Sequence, residues 1–248
     1  MKSTERHKLK ENEFARSVAH ARDIVETRGR DLGRLVVAVV VIAAVVVGYS
    51  WWRQSRETKA SASLAQGLAI FEAPVVPPAA PAPGSPMPVQ QAGTYDTERA
   101  KFEAALPKLM ETADQYPSAN AGIAARYYAA AALASLGRYQ EAEQRFQEVV
   151  DKAGSSIYGR TARLGQADAQ VAQGKFDSAI TIYKELAVDA KEQLPADGVL
   201  MALGRASLRA GRPDEATRAF QRVIDEFPES IYSADARREL EEARKGRS

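Results

Sequence analysis

The chain contains no cysteine, and its only two histidines, His7 and His20, lie near its start. Without cysteine there is no disulfide, no thiolate metal site and no lipid-modified cysteine. From Asp31 onward neither His nor Cys occurs. That removes Ser-His-Asp and Cys-His catalysis and nearly all transition-metal sites. Paired carboxylates remain, but they act only in a shaped pocket with shifted pKa values. The expectation is therefore of a protein that is not an enzyme and that holds no cofactor and no metal. An excess of charge is also lacking. Residues 1–34 carry nine Lys/Arg against six Asp/Glu, and the chain totals of 34 and 32 leave 25 against 26 for the rest. A near-neutral body has no electrostatic footprint for nucleic acid.

One long apolar run is present. Leu35–Trp52, LVVAVVVIAAVVVGYSWW, is uncharged and bracketed by Arg34 and Arg53. As a helix its 18 residues span about 27 Å, close to the roughly 30 Å of a bilayer core. Tyr49, Trp51 and Trp52 crowd one end, where amphipathic rings favour the membrane interface. The spacing and length predict a transmembrane helix over 35–52. A buried strand is the first rival reading. A signal peptide cleaved near Ala60–Ala62 is the second, but its apolar region is usually shorter and its basic lead is not 34 residues long. Arg16, Arg22, Arg28, Arg30 and Arg34 precede the run closely, and Arg53, Arg56 and Lys59 follow it. This bias places the N-terminus in the cytoplasm and the bulk of the chain outside it. Residues 1–34 form a tail in which Phe14, Val18, Ala21 and Val25 share the face of a short helix.

Past Tyr95 the sequence repeats with a period of 37. GRYQEAEQRFQEVV begins at Gly137, GKFDSAITIYKELA at Gly174 and GRPDEATRAFQRVI at Gly211. Each Gly is followed by an Ala (Ala142, Ala179, Ala216), an aromatic (Phe146, Tyr183, Phe220) and an aliphatic residue (Val149, Leu186, Val223) on one helix face. A small residue precedes each Gly by seven: Ala130, Ala167 and Gly204. It allows close helix approach, and the Gly suits a left-handed helix stop. Ser-Ile-Tyr recurs at 156–158 and 230–232, two periods apart, with each Ser placed to cap the next helix.

These features resemble the tetratricopeptide repeat, most closely in LGRASLRAGRPDEATRAFQRVIDEFP, Leu203–Pro228. The resemblance implies antiparallel helix pairs stacked into a superhelix with a concave binding face. The fold expected is all-α: one N-terminal transmembrane helix followed by a tetratricopeptide-type helical-hairpin solenoid over 53–248. A C-terminal cap helix is expected at 230–245. The 37-residue step exceeds the usual 34.

Stepping back one period from Gly137 makes Thr97–Pro117 a second helix, with Ala105 and Leu109 on its packed face and Pro107 forcing a kink or a late start. Its partner is then Arg53–Ala73, through Leu64, Leu68, Phe71 and Gly67. The intervening stretch, about 74–94, holds seven of the twelve prolines in Ala73–Gly93. It reads as a disordered or extended polyproline insertion within the first hairpin, not as a tether. On this reading the first helix rises straight from the membrane.

Anchor, orientation and repeats together resemble the ancillary SecYEG translocon subunit (YfgM-like) family, in which single-span inner-membrane proteins work through periplasmic repeats beside the translocon and chaperones. The partners implied are proteins: translocon subunits, chaperones or client peptides. The repeat phase puts Tyr127, Leu164, Asp168, Met201, Arg205 and Arg209 on the concave face. Tyr127 and Ala131 stand where a Lys/Asn cradle for chaperone C-termini would lie, which disfavours that mode. A cell-envelope coordinator or assembly factor is the alternative role, although such proteins are typically cleaved or lipidated. Removing residues 76–92 is expected to leave the repeat fold intact; circular-dichroism melting checks this, and loss of the cooperative transition would refute the insertion.

Overall fold

The computed structural model describes residues 3–77, 91–189 and 194–245, with the side chains of 3–32 and of 189 excepted. Two units are distinguished, Met1–Ser55 and Arg56–Ser248. The fold is all-helical. α1 is Ser3–Phe71, α2 Glu98–Gln115, α3 Asn120–Ser135, α4 Tyr139–Ala153, α5 Ile157–Ala172, α6 Phe176–Asp189, α7 Ala196–Arg209, α8 Pro213–Glu226 and α9 Ser233–Lys245. Among the described residues there is no strand, only an isolated bridge between Val75 and Tyr95.

The first unit is a stretch of α1. From Leu35 to Trp52 its large apolar side chains are all more than half exposed. No protein covers them, so this is not the core helix of a soluble domain. It is a helix long and apolar enough to cross a membrane, a property that a signal sequence shares. The short tail helix foreseen before it is part of α1, which runs unbroken from Ser3. The face proposed for Phe14, Val18, Ala21 and Val25 lies outside the described side chains.

The second unit is a stack of helical hairpins in which each helix from α2 to α9 packs on its sequence neighbours in that run and α3 also reaches α5. The repeat phase places the core. Ala142, Ala179, Ala216, Phe146, Tyr183, Phe220, Val149, Leu186 and Val223 are all buried, as are Ala105 and Leu109 one period earlier. Each buried aromatic contributes roughly 1.5–3 kcal/mol of hydrophobic burial. The hairpins turn at Gly137, Gly174 and Gly211, whose φ values of 76°, 76° and 72° lie in the left-handed region. There the next N–H reaches back to close the helix, as from Arg138 to the Leu133 carbonyl at 2.9 Å. An ion pair also repeats at the 37-residue step. Buried Arg126 meets Glu148 at 2.9 Å, and Arg163 meets Glu185.

The end of α1 supplies a helix against which α2 packs. Ser63 and Thr112 hydroxyls are 2.7 Å apart, and Leu109 lies directly under Gly67. Glu57 accepts from the Asn120 and Ala121 amides, both at 3.0 Å, and so caps α3 from a neighbouring helix. Arg56 donates to the Gln115 carbonyl at 2.9 Å and stacks over the Tyr116 ring.

Pro107 neither delays nor ends α2. Thr97 caps the helix at its start, accepting from Ala100 N, and the chain stays helical to Gln115. The ring is on the exposed face, where water can take the carbonyl that Pro107 leaves unbonded. Ser156 caps α5 as foreseen. Ser230 does not cap α9: its hydroxyl accepts from Tyr232 N at 3.0 Å and donates to Asp197, so the turn is held and α9 begins at Ser233. Most of the proline-rich stretch, 78–90, lies outside the described residues. Its flanks are joined, with Val76 N bonded to Tyr95 O at 2.9 Å and Tyr95 N to Pro74 O at 3.1 Å.

Gly204 and Gly67 separate two kinds of close approach. A Cβ at Gly204 would lie 2.3 Å from the ring of fully buried Phe220, whereas at Gly67 it meets the end of the Leu109 side chain at 2.7 Å. Gly204→Ala is expected to cost about 1–3 kcal/mol of stability and Gly67→Ala less than about 1 kcal/mol, measured by urea unfolding of the two variants.

Candidate concave binding face

The first helices of successive hairpins, α3, α5 and α7, present the residues that the repeat phase singles out. The structure brings four of the six together. Asp168, Met201, Arg205 and Arg209 line one groove of about 250 Å³, with Val171, Tyr183, Gly198 and Tyr232. Tyr127 and Leu164 are elsewhere on the face, each half-buried against a core cluster. Met201 is only 1% exposed and contributes a wall, not a free side chain.

The groove's polar groups differ in how far they are engaged. Asp168 accepts a 2.6 Å hydrogen bond from the hydroxyl of Tyr183, which rises from α6 beneath it. Although the residue as a whole is exposed, partial burial in the groove raises the pKa of the Asp168 carboxyl, while the Tyr183 bond pulls it down. Burial pushes the Tyr183 hydroxyl far up, and the neighbouring Asp168 charge adds to this. Arg205 is already held by Glu239 of α9, with its Nε and one terminal nitrogen both donating to Oε1, at 2.8 and 2.6 Å. Arg209 is exposed and forms no ion pair or hydrogen bond among the described residues. It is the cation the groove leaves available.

Beyond the groove the face is aromatic. Phe71 of α1 contacts Phe102 of α2 and Tyr128 of α3, with ring centroids 5.1 and 5.3 Å apart. Tyr128 adjoins Tyr127 at 5.4 Å, and Tyr127 adjoins Tyr158 of α5 at 5.9 Å. All five rings are half-buried. Burial raises the Tyr127 pKa, and Tyr128 and then Asp168 raise it further. The aromatic run therefore borders the groove electrostatically at Asp168.

Residue-by-residue phase selected Tyr127 but not Tyr128, Phe71 or Tyr158, and it took Tyr183 only as core. The recurrence of Tyr in Ser-Ile-Tyr was the available signal, since Tyr158 ends on the aromatic run and Tyr232 in the groove. No group of three or more His, Cys, Asp or Glu positioned for a metal occurs among the described residues.

The geometry defines a helical-hairpin repeat scaffold with a concave face of two characters. Residues 124–156 and residues 164–231 each match a family model described as tetratricopeptide repeat. Solved structures share the fold. Nearly identical TPR-like repeats from Podosopora anserina align with a TM-score of 0.52 at 17% identity, covering 58% of this chain and 78% of that one. A tetratricopeptide repeat protein from Parabacteroides merdae aligns with a TM-score of 0.50 at 15% identity, covering 60% of this chain and 56% of that one. No curated protein matches the chain.

A raised folded-state pKa on Asp168 means that the folded protein holds the proton more tightly than the unfolded chain. The stability that this contributes is present below the ordinary value of 3.8 and is lost as pH rises from there through the folded pKa. Carboxyl carbon NMR should show Asp168 titrating above 3.8, and Tyr183→Phe should move its midpoint higher still, because the bond that lowers it is gone. A midpoint unmoved by Tyr183→Phe would contradict the assigned coupling.

Proposed function

We propose that this chain is a membrane-anchored extracytoplasmic scaffold whose tetratricopeptide repeats hold extended segments of partner proteins, ancillary to the Sec translocon and periplasmic chaperones. The observation that carries the reading is the concave face: half-buried rings running to a groove with an available cation, presented mainly by the first helices of consecutive hairpins. Repeat arrays of this kind bind through such extended concave surfaces.

The anchor rests on the uncovered apolar helix at Leu35–Trp52, with its aromatic residues at one end. The orientation rests on the Arg-rich side that precedes it. The absence of His and Cys beyond His20 supports a role in binding without chemistry. The first repeat is read as the end of α1 paired with α2, with the proline-rich stretch inserted between them; the Ser63–Thr112 contact and the Val75–Tyr95 bridge support that division.

Two measurements test this in sequence. Reporter fusions after Lys245 should be active only in an enzyme that folds outside the cytoplasm; a cytoplasmic readout ends the secretion reading. Photo-crosslinkers at Arg209 and Tyr127, followed by mass spectrometry of adducts formed in cells, should recover translocon or chaperone components. Recovery of division or outer-membrane assembly proteins instead would favour the coordinator role.

A further inference from the structure

Charge reaches the aromatic half of the concave face only at its margins: Lys101 lies 4.8 Å over the Phe102 ring, and the Glu72 and Asp168 carboxylates act on Tyr128 and Tyr127. Phe102, Phe71, Tyr128, Tyr127 and Tyr158 form consecutive ring contacts, and the hydroxyls of the three tyrosines have no hydrogen-bond partner among the described residues. None of those hydroxyls is among the buried unpartnered polar atoms, so each keeps access to solvent. An uncharged occupant suits the ring faces, since it gives up no ion's hydration on reaching them. The occupant must also offer free acceptors to the hydroxyls. A helix does not, because its carbonyls are bonded internally. An extended proline-rich segment does, because polyproline geometry leaves every backbone carbonyl unbonded, and aromatic-lined grooves recognise it for this reason.

The chain supplies such a segment. Residues 77–90, PPAAPAPGSPMPVQ, contain six prolines and no charged side chain, and all but Pro77 lie outside the described residues. The chain departs on the way to them five residues after Phe71, and it returns to the Val75–Tyr95 bridge. Fourteen residues at about 3.1 Å each permit an out-and-back excursion of roughly 20 Å. From Phe71 to Tyr158 there are three ring-to-ring steps of at most 5.9 Å. A segment tethered at both ends beside the stripe has an effective concentration that a free competitor does not reach.

We infer that the aromatic stripe Phe71–Tyr128–Tyr127–Tyr158 is a docking surface for the chain's own proline-rich segment, residues 77–90. This rests on the reading that the concave face takes extended polypeptide. It assigns the aromatic half to a ligand in cis and leaves the groove at Arg209 for a partner in trans.

The test uses full-length protein in detergent micelles and a fluorescent PPAAPAPGSPMPVQ peptide, with binding read by anisotropy. One protein is the native chain. The other has Pro77, Pro78, Pro81, Pro83, Pro86 and Pro88 replaced by Ser at unchanged length. The peptide should bind the Ser variant at least about tenfold more tightly than the native chain, whose own segment competes. In the Ser variant, Tyr128→Ala should abolish that gain. Tyr128→Phe, which keeps the ring and the packing, should reduce it about threefold, in line with the loss of one hydrogen bond. Equal binding to both proteins would overturn the inference, since the stripe would then be open to other proline-rich chains. Binding to neither would also overturn it. A photo-crosslinker at Arg209 run on both proteins separates the two levels: partner capture there despite failed peptide binding leaves the scaffold reading standing, and loss of both removes it.

Discussion

No hairpin in this chain can bury its own apolar face. In two of the hairpins the second helix carries an aromatic that needs a neighbour with no side chain in the way, and a glycine supplies it, though not at one repeat spacing. Phe220 sits on Gly204 within its own hairpin, whereas Phe146 sits on Gly165 of the next. Stability of this kind is a sum over interfaces, so an end without a neighbour leaves a face exposed. α2 would be such an end. Its face carries Ala105 and Leu109, both fully buried, and the surface that helps bury them comes from α1. The last turns of α1 are therefore part of the repeat stack in energetic terms, whatever the rest of that helix does.

The contacts at this junction are polar as well as apolar, and they act on loops. Glu57 takes two of the free amides at the start of α3, a role normally filled by the residue just before a helix. Ala119 stands at that position and has no side chain able to cap. Arg56 meets the last carbonyls of α2. The loop between α2 and α3 is thus fixed from α1, not by its own sequence. The proline-rich insertion is tolerable on the same logic. Its ends are bonded across Val75 and Tyr95, and loop closure costs only slowly more as a loop lengthens.

Much of the core was legible because burial in a repeat is periodic. A single residue class at one position, counted in steps of 37, marked Ala142, Phe146, Val149 and their counterparts, and backward extrapolation found Ala105 and Leu109. The binding face was less legible, because what a concave side chain does depends on its neighbour in the next repeat. Arg205 shares the outward face of α7 with Arg209, yet Glu239, 34 residues later, occupies it. Met201 has the same phase as residues open to solvent, and the packing around α7 buries it. Ser156 and Ser230 stand in the same motif, but Asp197 draws Ser230 into a turn. Each difference is an inter-repeat contact that a period cannot encode.

As a proposed binding face, the two halves would select by different physics. Rings bind by area and dispersion, with little dependence on sequence. The groove selects by charge, and it does so sparingly. Arg205 is neutralised by Glu239, and Asp168 is tied to Tyr183, so only Arg209 can reward an acidic group. The two chemistries meet at Tyr127, whose hydroxyl is close enough to Asp168 for the carboxylate to raise its pKa. A partner that extends from the groove toward the rings must pass this point. There it meets a carboxylate that already accepts from the Tyr183 hydroxyl and whose residue is exposed. If the face holds a chain as proposed, the charges at Arg209 and Asp168 would discriminate among chains where the ring area would not.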